Sequence, residues 1–331
     1  MTVYILRRLV FLVLSLFLAS AILFVLLRLL PGDPANALLS VGATTEQVEA
    51  ARASIGSDQP AIEQFVTWLG QMATLNLGTS FISGLPVGPE IATRLAVTVP
   101  LTLISFAVAV VVAVPVGFLA AYRANRWYGA ALSAVSQLGI AVPIFWVGVL
   151  LISGFALNLR LLPAGGFPQG DWANPAAALR SLTLPVITIA FVMASSLVRY
   201  VRSATLDVLG SDYLRTARSL GASFTSAMWH HGVRNASVPV VAILGIELAT
   251  TFLGAVVVES VFALPGLGSM LLVAIAQHDY PNIQGILLIS TFVVLIIGFL
   301  ADLISRLIDP RLRAVGSTKR AVRAPRAVVS R

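Results

Sequence analysis

Six apolar runs, at about 9–30, 97–121, 131–157, 182–201, 239–262 and 283–307, constrain this chain more than anything else in it. Each reaches the roughly 20 residues of helix that cross the hydrocarbon core of a bilayer. None alternates with period two as a barrel strand does, so the runs predict helices. A helix satisfies its backbone N–H and C=O groups from within, which lipid cannot do for it. Composition points the same way. Of 331 residues, 58% are hydrophobic and 11% are charged, against about 25% charged in soluble domains. Mean hydropathy is +0.92. Too little charge remains to cover a water-facing surface, which leaves an all-α polytopic membrane protein with six transmembrane helices. The chain has no cysteine, which excludes disulfides, thiol catalysis and thiolate metal sites.

The first run begins after Arg7 and Arg8, and Ala19-Ser20-Ala21 resembles a signal-peptide cleavage site. A signal core spans about 7–15 residues, however, and this run continues to Leu30. It reads as a retained first transmembrane helix, 1–30. Arginine then orients the chain. One side receives Arg7, Arg8, Arg123, Arg126, Arg199, Arg202, Arg215, Arg218, Arg234 and a tail running from Arg306 to Arg331; the other receives Arg52, Arg94, Arg160 and Arg180. That bias predicts both termini in the cytoplasm. It also accounts for the net charge of +8 as a topology signal rather than a nucleic-acid footprint.

Residues 31–93 form the largest external segment. It opens on Pro31-Gly-Asp-Pro34, a turn signal. Its stretch from Glu46 to Trp68 spaces Val48, Ile55, Ile62, Phe65, Val66 and Leu69 as one or two short surface helices would. It is either a solvated connection or a surface for an external partner. Residues 310–331 form a basic cytoplasmic tail; after Arg313 it lacks acids and reads as disordered, with weak attraction to anionic lipid.

Between the fourth and fifth runs lies a polar, basic island, 210–239. Gly210 ends one helix, Ser211 caps the next, and Asp212 suits its positive N-terminal dipole. Residues 212–220 hold no Pro or Gly, and Gly221 supplies a helix stop. Ser223 caps a second helix to about Val233, before Asn235 and Pro239 lead into the fifth span. On the first helix Leu214, Ala217 and Arg218 share one face, with Arg215 and Ser219 on another. Such a helix either inserts into a groove on another protein or lies on the inner leaflet.

Asp212, Tyr213, Arg215, Thr216, Ala217, Arg218, Gly221, His231, Arg234, Asn235, Ala236 and Pro239 resemble the cytoplasmic coupling loop of ABC-importer permeases of the dipeptide, oligopeptide and nickel group. The similarity covers nearly the whole chain, in order. It includes Leu30 to Pro34, Leu77 to Ser80, Ile91 with Arg94-Leu95 and Thr98, and Val258 to Phe262 with Pro265 to Gly268. It continues through Asp279 to Pro281 with Gln284-Gly285, Asp302, and Asp309 to Arg313. Leu220 departs from it, standing where the family usually has lysine. The resemblance implies a type I ABC-importer transmembrane fold, with a shared domain at 94–309. It implies a second homologous permease, two cytoplasmic ABC ATPases that bind ATP and Mg, and an external solute-binding protein, all at a prokaryotic plasma membrane. Peptide is the implied cargo, with nickel chelates and glutathione as alternatives. The chain itself binds no cofactor in this reading and is no enzyme. Its one lysine, Lys319 after Thr318, lacks the Gly-Lys-Ser/Thr setting of a phosphate loop.

Other polar groups leave alternatives open. Glu247, inside the fifth run, either meets cargo in the pathway or is hydrogen-bonded between helices. Glu259 and Asp279, near the outer mouth, either face the external protein or cap helices. His230 and His231 point about 100° apart on a helix, which disfavours a shared metal ion. Pro115, Pro143 and Pro185 predict helix kinks. A polytopic enzyme would need clustered catalytic groups at depth, and Glu247 stands alone there; an independent channel or carrier would need no docking island.

Overall fold

A computed structural model describes residues 2–29, 44–46, 48–49, 52 and 60–308. The Pro31–Pro34 turn, the C-terminal tail and the Asp309–Arg313 ending lie outside them. The long helices are α1 (Thr2–Leu29), α3 (Val87–Tyr122), α6 (Pro175–Leu209), α9 (Val233–Val261) and α11 (Tyr280–Ile308). The shorter ones are α2 (Ala61–Ala73), α4 (Trp127–Ala141), α5 (Ile144–Leu151), α7 (Asp212–Ser219), α8 (Phe224–Ala227) and α10 (Leu267–Ala276). Among the described residues five helices are long and apolar enough to cross a membrane, and the bent pair α4–α5 makes a sixth.

That pair corrects the expectation of one uninterrupted helix at 131–157. The chain turns by 99° between Ala141 and Ile144. Pro143 disfavours helical geometry at the residue before it, and Val142 is extended at φ −80°, ψ 126°. Of the three prolines expected to kink helices, Pro143 alone coincides with a break; α3 and α6 run on through Pro115 and Pro185. After α5 the helix widens into a π-helical turn, Ile152–Asn158.

α6 is the central post, packed by α3, α4, α5 and α9. Its approach to α3 depends on small side chains at four-residue spacing: Ala109, Ala113 and Gly117. Without a hydrophobic drive between helices in lipid, such close backbone approach supplies the packing. A Cβ at Gly117 would stand 2.7 Å from Val201 Cβ and 2.9 Å from Val198 O, so the register tolerates no larger residue. Midway, Ala109 and Ala113 meet Ala190, Met193, Ala194, Leu197 and Val198 of α6. α1 sits at the periphery against α11, fastened by the Arg8–Asp302 ion pair at 2.8 Å and by Arg306 stacked over Tyr4 at 3.7 Å. α2 lies across α1 through Phe65 and Trp68, which meet Phe17 and Phe24.

Helix directions gather Arg7, Arg8, Arg123, Arg126, Arg199, Arg202, Arg234 and Arg306 at one end of the bundle, called the basic end below. The loops 76–86 and 159–174 and the short helix α10 close the far end.

Candidate functional site

At the basic end, α7 and α8 form a knuckle beneath the bundle. Gly210 closes α6 and Ser211, extended at ψ 145°, opens α7. The Ser211 hydroxyl does not cap α7; it donates back to Val208 O at 2.6 Å. Asp212 instead pairs with Arg215 at 3.3 Å, one turn on. Both are largely exposed, so the pair contributes only about 0.2–0.5 kcal/mol.

The stop after α7 is a Schellman turn. Ala222 N donates to Ala217 O at 3.1 Å and Gly221 N to Arg218 O at 3.0 Å, with Gly221 at φ +94°. Ser223 then caps α8 by accepting from Ser226 N at 3.3 Å. A helix ending near Val233 was expected there. Instead α8 passes through a π-helical turn, Met228–Gly232, straight into α9, and neither Asn235 nor Pro239 interrupts it. The second arm of the knuckle, α8, and the fifth span are therefore one continuous helical rod.

Leu214 is buried and Ala217 half-buried against Val208, Ala227 and Met228. Phe224 meets Tyr122 of α3 at 5.1 Å between ring centroids, and Tyr122 stacks on Phe118. The knuckle thus grips α3 and α6 as well as continuing into α9. Its outward surface carries the other sequence-predicted residues. Asp212, Tyr213, Arg215, Thr216, Arg218, Gly221, His231, Arg234 and Asn235 are all exposed. On the face that Leu214, Ala217 and Arg218 were expected to share, Leu214 is buried, Ala217 half-buried and Arg218 exposed. Between α7 and α8 a cleft of about 520 Å³ is lined by Leu209, Leu214, Arg215, Arg218, Ser219, Ala222, Ser223 and Phe224. Leu220, which departs from the family's usual lysine, is 84% exposed, and Trp229, which sequence reasoning had not singled out, is 68% exposed. Basic, apolar and concave elements together suit a protein partner.

The far end holds a different arrangement. Glu259 is fully buried on α9. It accepts from Thr98 Oγ1 of α3 at 2.6 Å and from Ser269 N in the first turn of α10 at 3.0 Å. Thr98 in turn accepts from Leu267 N at 2.8 Å. Asp279, also buried, accepts from Ser80 Oγ at 2.5 Å, Phe81 N at 3.2 Å and Asn282 Nδ2 at 2.8 Å. Both acids are buried: Glu259 accepts from a first-turn backbone N–H of α10, and Asp279 ties the 80–81 turn to the Asn282 side chain of α11. Glu247 lies apart, half-buried within α9, accepting from Ser196 Oγ of α6 at 2.7 Å.

Residues 113–314 match the family described as binding-protein-dependent transport system inner membrane component, and residues 1–102 match its N-terminal companion. The chain belongs to this family. It is a permease subunit of an ABC importer. Relatives run nearly end to end with it. A protein of Brucella abortus (strain 2308), named as a peptide transport system permease protein, is 38% identical over 314 residues, covering 95% of this chain and 99% of that one. The glutathione transport system permease protein of Escherichia coli (strain K12) is 34% identical over 310 residues, covering 94% and 98%. In fold, the permease is similar to the methionine ABC transporter MetNI in an inward-facing form, at TM-score 0.55 and 19% identity, over 66% of this chain and 96% of that one. An ABC importer permease works in general with ATPase and substrate-binding partners.

Proposed function

We propose that this permease forms half of a peptide pathway through a prokaryotic plasma membrane, driven by partner ATPases that dock on the α7–α8 knuckle. The continuous rod from knuckle to span carries this reading: a push on α7–α8 moves α9 directly, and moves α3 and α6 through the Phe224–Tyr122 contact and the Val208–Leu214–Met228 cluster. The arginine bias supports a cytoplasmic basic end, with both termini on the side where ATPases reside. A second homologous permease completes the pathway, two ABC ATPases bind ATP and Mg below it, and an external solute-binding protein delivers cargo at the far end. Asp212, Tyr213, Arg215, Thr216, Arg218, Gly221, His231, Arg234 and Asn235 form or shape the docking surface, and Ala217 seats it. ATP then acts by population shift, favouring one orientation of the pathway over the other by several kcal/mol.

The relatives named for peptide transport support peptide cargo, and the glutathione permease supports a modified tripeptide within the same class. Affinity purification of the tagged chain in mild detergent tests the assembly. Expected are a second permease and ABC ATPases in the same complex, and ATP-dependent peptide uptake once that complex and its external binding protein are placed in liposomes. Uptake by the isolated chain, or a complex without ATPases, overturns the reading.

A further inference from the structure

Glu247 accepts a hydrogen bond from Ser196 Oγ and joins no ion pair among the described residues. It sits near the middle of α9, fourteen residues before Val261 by the numbering. The exposed face of α9 is apolar at Ile246, Leu253 and Val257, and Glu247 and Thr250 interrupt it. The outward side of α1 presents Val10, Phe11, Val13, Leu14, Phe17 and Leu18, all apolar. The outward side of α9 places the half-exposed Glu247 and the exposed Thr250 among apolar neighbours. Carboxylates at membrane depth are costly against hydrocarbon and turn toward a water-filled cavity or the interior of an assembly.

The donor set fits one kind of ligand. Ser196 Oγ spends its proton on Glu247 Oε1, and Thr250 Oγ1, one turn further along the same face, spends its own on Ile246 O and Glu247 O at 3.0 Å each. Both hydroxyl oxygens keep lone pairs. With the carboxylate they offer three acceptors, and a primary ammonium carries three N–H donors and no acceptor. Calcium and magnesium call for about six or more oxygen ligands. Among the described residues no group of three or more His, Cys, Asp or Glu stands ready to hold a metal.

We infer that Glu247, with Ser196 and Thr250, forms a cation subsite in the translocation pathway that takes the protonated amino group of the cargo. This rests on the peptide-permease reading and adds to it a named point of contact.

The test uses the assembled complex without its external binding protein, so that selection by that protein is removed. Binding of Ala-Ala and of glutathione is compared with binding of their N-acetylated forms by calorimetry. Wild type is expected to prefer a free amine by about tenfold. Glu247→Gln removes that preference and Glu247→Asp retains most of it. Ser196→Ala and Thr250→Val reduce it and serve as the readout if Glu247→Gln does not assemble. A wild type that binds neither amine or shows no preference overturns the inference. So does a preference that survives Glu247→Gln, or one unchanged in both hydroxyl variants when Glu247→Gln is lost. Failure here with ATP-driven uptake intact removes only the subsite; a complex that imports nothing removes the transport reading itself.

Discussion

At Gly266 a hydrogen atom stands where any other residue would place a carbon into the Glu259 carboxylate. Two residues on, a Cβ at Gly268 would lie 2.5 Å from Val256 Cα, a backbone atom that cannot step aside. These two glycines let α10 start directly against α9, with Glu259 fully buried at the seam. Gly266→Ala is therefore expected to lower the stability of the purified complex by about 1–3 kcal/mol, the usual range for overpacking, read as a fall in Tm. Glu259→Gln keeps the shape but replaces one acceptor oxygen with an NH2 group. The amide oxygen can still receive Thr98, and the NH2 then confronts Ser269 N–H, which loses its partner. A loss of about 1–3 kcal/mol follows for a buried donor left unsatisfied. A Tm equal to wild type in both variants would remove the seam from the account of the far end. None of this was legible locally. Thr98 is 161 positions from Glu259, and Ser80 is 199 from Asp279. A sequence shows that such acids exist near an outer mouth; only the fold shows that they face inward.

At the scale of elements, what could be read from the sequence was what neighbouring residues decide. The long spans were legible because hydropathy is a local property. The stop at Gly221 was legible because left-handed turns have short signatures; the start of α7 fell after Ser211 as expected, although the Ser211 hydroxyl turns back to Val208 O instead of capping. The break at Pro143 had its residue in view but not its angle, since a proline inside a membrane helix is compatible with both a mild kink and a full turn, as α3 and α6 demonstrate. α10 escaped because a ten-residue helix is too short to span a membrane and lies between stronger signals. The continuity of α8 with α9 escaped because the second helix was expected to end near Val233, whereas a π-helical turn at Met228–Gly232 joins it to the span. Two outcomes test the knuckle as an element. Gly221→Asp replaces the residue at φ +94° and is expected to leave the spans inserted while disturbing the α7–α8 angle. Strain of about 1–2 kcal/mol at a left-handed position corresponds to a factor of about 5–30 in population. Uptake should fall while ATP hydrolysis by the partners persists, at equal membrane abundance; unchanged uptake would count against mechanical transmission through this turn. Leu220→Ala with Trp229→Ala alters only exposed side chains, so Tm should hold. Co-purification of the ATPases should weaken by about 1 kcal/mol or more per anchor if these side chains are central to the interface.

For the whole molecule, the proposed mechanism depends on which way the chain faces. The knuckle must share a compartment with ATP, and the Ser80–Asp279 seam must lie on the side where cargo arrives. Arginine distribution argues for that orientation statistically, but each arginine cluster could also serve packing, as Arg306 over Tyr4 does. A direct measurement is unusually clean here because the chain has no cysteine of its own. Ser219→Cys marks the knuckle and Ser83→Cys marks the loop 76–86; both serines are exposed, and neither side chain bridges two helices. A membrane-impermeant maleimide added to right-side-out vesicles should label the variant at 83 and spare the one at 219. Inverted vesicles should reverse the pattern. Six crossings, with α4–α5 counted as a single bent span, require these two positions to lie on opposite sides. Labelling of both from one side would mean that α4–α5 enters and returns on the same face as a re-entrant loop. The α7–α8 knuckle would then no longer lie opposite the 76–86 loop, and the route from nucleotide to pathway would have to be redrawn from the topology upward.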